Sequence, residues 1–188
     1  MVEQIRIATD GPADAARGTL IQETRARHLT PEDTAIVGHV AAAMATAEAA
    51  KLAACALAGA AQVDAAFIGN TTFGAGLPAG DVTRVEFDSC VRFDGTIFMA
   101  EVNGVRLQQL LAAANQGPDT PFAQRRGEFS FAAGPAAVDP AKTYRIATTD
   151  WGAKNTARYF GDPAIAWSEQ PGLRLKAAVL AALKAAGK

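Results

Sequence analysis

Residues 65–81 have the sequence AAFIGNTTFGAGLPAGD, a short apolar segment followed by a loop dense in glycine, asparagine and threonine. The apolar part, residues 65–69, is typical of a buried strand. Glycine lets a ligand come close to the backbone, and the side chains of Asn70 and Thr71 can offer it polar contacts. The pattern therefore indicates either a ligand-binding loop or a tight turn after a core strand.

Composition places the chain among ordinary soluble domains. It has 188 residues, of which 49% are hydrophobic and 20% charged, so residues 1–188 are long enough for a single domain with its own core. The formal net charge of -1 predicts no basic surface of the kind that binds nucleic acid. Residues 1–4 carry a charge and lack the apolar segment of a signal peptide.

An alanine-rich stretch, residues 35–61, is the longest apolar part of the chain. It contains His39, Glu48 and Lys51, and alanine is only weakly apolar, which favours a soluble helix over a membrane span. We therefore expect the partners of this chain to include neither nucleic acid nor a membrane.

Outside residues 65–69, periodicity predicts a mixture of helices and strands. The strands are expected at residues 4–9, 93–102, 128–131 and 143–149. The helices are expected at residues 14–27, 39–59, 83–90, 105–115 and 172–186, with a helix start also indicated where Thr30 precedes Pro31. Helices and strands do not alternate regularly, which predicts an α+β fold, a mixed sheet with packed helices. A loop with two prolines is expected at residues 116–126.

Two helix starts carry local signals. Thr83 is followed three residues later by Glu86, the spacing of a capping box. Asn103 and Gly104 are expected to turn the preceding strand into the next helix.

Residues with obvious catalytic chemistry are scarce. The two histidines, His28 and His39, do not have the spacing of metal ligands, and the sequence has no P-loop and no nucleophile elbow. Carboxylates such as Asp81, Asp88, Asp94 and Asp150 are scattered, and caps and turns are their simplest roles. We assign no catalytic residue and no metal ligand. Two further residues, Cys55 and Cys90, are expected to be buried free thiols.

Two aromatic residues lie where predicted strands meet loops. Phe93 stands between Arg92 and Asp94, and Trp151 follows Asp150. Two such rings could hold a planar ring between them, or both could be residues at the rim of the core.

The order of several segments resembles a known family. The alanine-rich helix is followed by FIGN (67–70), LPAGDVT (77–83), FDG (93–95) and AEVNG (100–104), and finally by VDPAKTYRIAT (138–148). Together these segments are similar to the C-terminal domain of the 5′-nucleotidase family, the two-domain metallophosphoesterases. The resemblance covers about residues 35–160, which leaves residues 1–34 as an N-terminal extension or linker and residues 161–188 as a C-terminal helix.

The resemblance implies a function for the whole protein. In this family an N-terminal metallophosphoesterase domain holds two divalent metals and hydrolyses the phosphate ester, whereas the C-terminal domain binds the nucleoside or nucleotide. The expected fold is therefore 5′-nucleotidase C-terminal domain-like, in a metal-dependent hydrolase of nucleotide catabolism that is periplasmic or secreted. The chain is expected to be that C-terminal domain without its catalytic partner, either excised or a fragment, and inactive alone.

The resemblance also implies a site. Phe93 and Trp151 correspond to the two rings that stack on the base. The family loop carries an arginine where this chain has Gly74, an asparagine where it has Gly95, and a Gly-Gly-Asp-Gly segment where it has residues 152–155. The polar side chains expected to replace these contacts, together with the loop threonine, are Asn70, Thr71, Arg92, Asp94 and Asn155.

These departures leave two alternatives open. The same fold occurs in thiosulfohydrolases of sulfur oxidation, so a divergent hydrolase with a non-nucleotide small molecule as substrate is one. A non-catalytic interaction or dimerisation module is the other, because alanine-rich helices pack closely.

Overall fold

The computed structural model of the chain describes residues 14–115, 130–161 and 164–186. Within these ranges the chain forms seven α-helices and seven strands. The helices are α1 (Ala15–His28), α2 (Thr46–Ala61), α3 (Arg84–Cys90), α4 (Gly104–Ala113), α5 (Asp150–Lys154), α6 (Thr156–Phe160) and α7 (Leu175–Ala186). The strands are β1 (Ile36–Val40), β2 (Ala65–Gly69), β3 (Gly80–Thr83), β4 (Thr96–Asn103), β5 (Ser130–Ala133), β6 (Thr143–Thr149) and β7 (Ser168–Arg174). The predicted strand at residues 4–9 and the predicted loop at 116–126 lie outside the described residues.

Five of the described strands form a mixed sheet in the order β5-β2-β6-β4-β7. Strands β2 and β6 are parallel, and the other neighbouring pairs are antiparallel. Strands β1 and β3 form a separate antiparallel pair. Helices pack on a sheet of mixed direction, so the predicted α+β class is confirmed.

Strand β2 separates two parts of the hydrophobic core. All five of its residues are buried. Ala66 and Ile68 belong to a core cluster shared with α2 and α7, whereas Ala65 and Phe67 belong to a second cluster shared with α4 and α6. Successive strand side chains point to opposite faces, so an apolar strand of this kind is buried on both sides. The predicted buried strand is confirmed.

The alanine-rich helix α2 packs against β2, β5 and α7. Its buried residues are mostly alanine, at positions 49, 50, 53, 54 and 61, with Leu57 among them. Small side chains bring the helix close to the sheet. Because this face is used inside the domain, it is not available to a second molecule.

The predicted start of this helix at His39 is wrong. Residues 36–40 form β1, in which His39 lies opposite Asp81 of β3 and its Nδ1 is 3.1 Å from the Asp81 carboxylate. Pairing with β3 satisfies backbone groups that a helix would otherwise have satisfied internally. Thr30 does not begin a helix either, because residues 31–34 form a turn closed by reciprocal hydrogen bonds between Thr30 and Asp33.

Replacing Gly59 by alanine is expected to stabilise the domain. Gly59 lies inside α2, and a Cβ at this position would have no heavy atom within 4 Å apart from those of its chain neighbours and of the backbone of its own helix. Alanine costs less backbone entropy in a helix, so the free energy of unfolding should rise by about 0.5–1 kcal/mol in urea denaturation. Gly18→Ala, in a helix α1 with no buried residue, should leave the global midpoint unchanged. An unchanged or lower midpoint for Gly59→Ala would contradict the expectation.

The helix starts with local signals form as predicted. Thr83 and Glu86 make the capping box of α3, in which the Glu86 carboxylate accepts from both the hydroxyl and the backbone N–H of Thr83. These hydrogen bonds, the one from the hydroxyl first, lower the pKa of Glu86. Asn103 caps α4 by accepting a hydrogen bond of 2.8 Å from the backbone N–H of Arg106. Strand β6 matches its predicted bounds, whereas β4 begins at Thr96 and leaves Phe93 in the preceding loop.

The C-terminal segment, residues 161–188, is predicted to be a helix, but the structure shows a strand before the helix. Residues 168–174 form β7, which pairs antiparallel with β4, and α7 begins only at Leu175. Gly172 has a φ of 81°, a conformation that glycine adopts easily and that does not fit a helix.

Both cysteines are free thiols, as expected, but only Cys90 is buried, whereas Cys55 is exposed. Burial raises the pKa of Cys90 to about 11. Among the described residues, no helix combines the length and the apolar character that crossing a membrane requires.

Candidate functional site

A cavity of about 510 Å³ opens where three chain segments meet. The segments are the loop after β2, the loop before β4 and the junction of β6 with α5. The residues that line it are Thr71, Thr72, Phe93, Asp94, Gly95, Thr149, Asp150 and Trp151. Of the side chains predicted for the site, Phe93, Trp151, Thr71 and Asp94 are therefore brought together.

The two aromatic side chains of the cavity are unusually exposed. Phe93 is 61% exposed and Trp151 is 53% exposed. Neither side chain belongs to either core cluster. Large apolar side chains left in contact with solvent at the mouth of a cavity are suited to contact a ligand.

Trp151 lies in the first turn of α5, directly after strand β6. Thr149 caps this helix by accepting a hydrogen bond of 3.4 Å from the backbone N–H of Gly152. The indole N–H of Trp151 donates to the hydroxyl of Tyr159 over 3.3 Å. The backbone of Trp151 is thus fixed by α5, and its ring contacts Tyr159 of α6.

The loop after β2 begins with a single 3₁₀ turn at Asn70–Thr72. Thr71 and Thr72 line the cavity, whereas the amide oxygen of Asn70 is buried and accepts no hydrogen bond from the described residues. The loop is thus a turn after the core strand and also forms part of the wall of the cavity.

Arg92 occupies the space beside Gly74. A Cβ at position 74 would lie 2.7 Å from Cδ of Arg92 and 2.7 Å from the carbonyl oxygen of Ser89. Nη2 of Arg92 donates to the carbonyl oxygen of Thr71 over 3.0 Å, and the guanidinium carbon is 5.6 Å from the centre of the Phe93 ring. Arg92 therefore braces the Thr71 loop against Phe93 and brings a positive charge to the edge of the cavity.

The carboxylate of Asp94 is already engaged within the protein. Its two oxygens accept hydrogen bonds of 3.0 Å from Nε of Arg174 and from the backbone N–H of Lys176, in the first turn of α7. Nη2 of Arg174 is also 3.0 Å from Asp94. These contacts anchor the loop that carries Phe93 and leave the Asp94 side chain little freedom to follow a ligand.

A second carboxylate, Asp150, also lines the cavity, and its Oδ1 lies so close to Gly95 that a Cβ there would come within 2.6 Å of it. It forms an ion pair of 3.2 Å with Lys154, one turn along α5. The sequence singled out Asp150 only as one of several scattered carboxylates, and it missed Thr72, Gly95 and Thr149 as lining residues. Their positions near strand ends were the only indication in the sequence, and many residues at strand ends do not line a cavity.

Asn155 does not line the cavity. Its side-chain amide donates a hydrogen bond of 2.8 Å to the carbonyl oxygen of Trp151, which closes the C-terminal end of α5. Its contact with Trp151 is therefore through the backbone of that residue.

The combined surface is suited to binding. A planar group with polar substituents can be held here by the two aromatic side chains and the threonine hydroxyls. Two carboxylates, each in an ion pair with a basic residue, and a nearby guanidinium add charged groups. Within residues 14–115, 130–161 and 164–186, no cluster of three or more His, Cys, Asp or Glu side chains is arranged to hold a metal ion.

Comparison with known proteins places this geometry in a family. A sequence model of the 5′-nucleotidase C-terminal domain matches residues 13–136, a range that begins and ends earlier than the resemblance at residues 35–160. No curated protein sequence matches the chain.

Several solved structures share its fold. A 5′-nucleotidase precursor from Thermus thermophilus has a TM-score of 0.62 and 13% identity, with 92% of this chain and 40% of that chain covered. The NAD nucleotidase of Haemophilus influenzae has a TM-score of 0.63 and 19% identity, with coverage of 93% and 39%. The sulfate thiohydrolase SoxB of Thermus thermophilus has a TM-score of 0.54 and 15% identity, with coverage of 94% and 37%.

The chain thus spans between 37% and 40% of the length of these three structures. At such identities the likeness concerns the fold. The match of the sequence model covers more than half of the chain, and on that basis the chain belongs to the family of 5′-nucleotidase C-terminal domains.

Proposed function

We propose that the cavity lined by Phe93 and Trp151 binds the planar base of a nucleoside or nucleotide. The observation that carries this proposal is that two exposed aromatic side chains, one in the loop before β4 and the other in the first turn of α5, line the same cavity although they lie 58 positions apart (151 − 93). Stacking of a base on an aromatic side chain contributes about 1–3 kcal/mol, and the ring of a phenylalanine or of a tryptophan can provide it.

The rest of the cavity offers polar groups of the right type. The hydroxyls of Thr71, Thr72 and Thr149 can donate or accept hydrogen bonds, and the Asp150 carboxylate can accept them from ring N–H groups or sugar hydroxyls. A volume of about 510 Å³ lies within the usual range of small-molecule sites.

The chemical step is assigned to another domain. We place this chain as the substrate-binding part of a metal-dependent phosphoester hydrolase, with two divalent metals held by an N-terminal metallophosphoesterase domain. Family membership and the share of the solved structures that the chain spans support this arrangement. A periplasmic or secreted location of the whole protein is part of the same proposal.

Substitution of the two rings tests the base site. Phe93→Ala and Trp151→Ala are each expected to weaken binding of adenosine and AMP by about 5- to 150-fold, the equivalent of ~1–3 kcal/mol of lost stacking. Ligand titrations followed by NMR at up to millimolar concentration measure the effect.

Ile36→Ala is a suitable control, because Ile36 is 64% exposed and lies on β1 rather than at the cavity. It should leave the affinity unchanged. Absence of any ligand-induced shift in the unsubstituted chain, or equal affinities for all variants, would reject the base site.

The environment of Gly74 favours a second candidate. With no side chain at this position and Arg92 tied to Thr71, the cavity offers fewer free polar contacts to a nucleotide than the family loop with its arginine would. A hydrolase of non-nucleotide substrates, like the sulfate thiohydrolase in its fold, is therefore the alternative. Binding of thiosulfate or a sulfur-containing conjugate, with no response to adenosine or AMP, would favour it.

A further inference from the structure

Tyr159 lies directly against the end of strand β2. A Cβ on Gly69 would come within 2.8 Å of the Tyr159 hydroxyl oxygen and within 2.9 Å of two of its ring carbons. The aromatic ring thus packs on the backbone of Gly69, the residue that precedes the loop of the cavity. A glycine at position 69 leaves the room that this contact needs.

Through its hydroxyl, the same tyrosine contacts Trp151, which lines the cavity. The indole N–H of Trp151 donates to the Tyr159 hydroxyl over 3.3 Å, although the Trp151 side chain is 53% exposed. An exposed side chain with no such partner would exchange between rotamers. Contact with a residue packed on the sheet favours the orientation of the indole that makes this hydrogen bond.

We propose that Tyr159 is a positioning residue that holds the indole of Trp151 as a wall of the cavity. The inference rests on the proposed function, since it assumes that this wall contacts the ligand. Tyr159 does not line the cavity itself and acts through Trp151. A ring oriented before the ligand arrives loses less conformational freedom on binding, which increases affinity.

The chain contains matched groups for a clean test. It has two tryptophans and two tyrosines. The indole of Trp167 donates to Thr156 over 2.9 Å and therefore has a different partner from Trp151. The hydroxyl of Tyr144, at the other end of β6, accepts from the backbone N–H of Asp139 over 2.8 Å.

The experiment compares Tyr159→Phe with Tyr144→Phe in the 188-residue chain labelled with ¹⁵N. The spectrum of indole N–H groups should contain two signals, and Trp151→Phe identifies the one from Trp151. Tyr159→Phe keeps the ring on Gly69 and removes only the hydroxyl, so the Trp151 signal should shift and exchange faster with water while the Trp167 signal stays in place. Tyr144→Phe should leave the Trp151 signal unchanged.

Affinity for AMP gives the second readout. Tyr159→Phe is expected to weaken binding about three- to tenfold, the value of one hydrogen bond, and Tyr144→Phe to leave it unchanged. An unchanged Trp151 signal, or an unchanged affinity, overturns the positioning role. If the unsubstituted chain does not bind AMP, the proposed function fails, whereas the Trp151 signal of the free protein still decides whether Tyr159 holds the indole.

Discussion

Phe67→Ala is expected to lower the free energy of unfolding by about 3–5 kcal/mol, the usual cost of emptying the space of a buried phenylalanine. Phe67 is 1% exposed at the centre of β2 and joins the second core cluster to the sheet. Its ring meets that of Phe160 edge-to-face, with 5.6 Å between ring centres and an interplanar angle of 84°. The substitution removes both the buried area and this aromatic pair.

Urea denaturation followed by circular dichroism measures the loss. Phe93→Ala is the matched control, because Phe93 is 61% exposed and its truncation should change stability by no more than about 0.5 kcal/mol. If the two variants lost similar amounts of unfolding free energy, Phe67 would not be a core residue and Phe93 a surface residue of the cavity, as the structure has them. Since Phe160 follows Tyr159 on α6, the folded fraction of Phe67→Ala should also bind AMP more weakly.

Gly76→Ala is expected to destabilise the domain by about 3 kcal/mol, at the upper end of the usual cost of overpacking. A Cβ at this position would lie far closer to the carbonyl oxygen of Met44 than van der Waals contact allows. Met44 and the neighbouring Leu77 exchange two backbone hydrogen bonds, of 2.9 and 3.0 Å. The methyl group would force these two segments apart, and Leu77, which is 3% exposed, would lose its packing in the core.

The comparison with Gly59→Ala isolates the cause. Both substitutions add one methyl group to a glycine, but only Gly76 has a backbone oxygen in the way. Opposite changes in the midpoint of urea denaturation are therefore expected, an increase for Gly59→Ala and a decrease for Gly76→Ala. A Gly76→Ala variant as stable as the unsubstituted chain would show that the loop accommodates a Cβ and that the Met44–Leu77 bridge contributes little.

Elements with local signals could be predicted from the sequence. The capping box of Thr83 and Glu86 lies within four residues, and the apolar run of β2 is continuous. Strands β1 and β7 were missed for the opposite reason. Their backbone partners, β3 and β4, lie roughly 40 and 70 positions away. Residues 36–40 lack the strict alternation of a strand, and Pro171 and Gly172 indicate a turn within residues 168–174, although β7 is an edge strand, where proline is tolerated.

The candidate site was predictable in its aromatic residues and less so in its polar ones. Phe93 and Trp151 could be singled out, because few aromatic residues stand where predicted strands meet loops in this sequence. The polar side chains could not be sorted in the same way. Asp94 is bound to Arg174, 80 positions away, a contact that leaves no trace in the neighbouring sequence. Asn155 instead closes α5 through a local hydrogen bond to Trp151.

By itself, the sequence determined the family and the α+β class, because apolar periodicity, caps and the order of the segments around residues 65–81 are properties of neighbouring residues. Only the tertiary structure decided which side chains share the cavity and which are occupied in holding it. Arg92 lies beside Gly74, Arg174 holds Asp94, and Tyr159 packs on Gly69 with its hydroxyl at Trp151. These contacts join residues separated by up to about 90 positions, and their formation depends on the packing of the whole sheet.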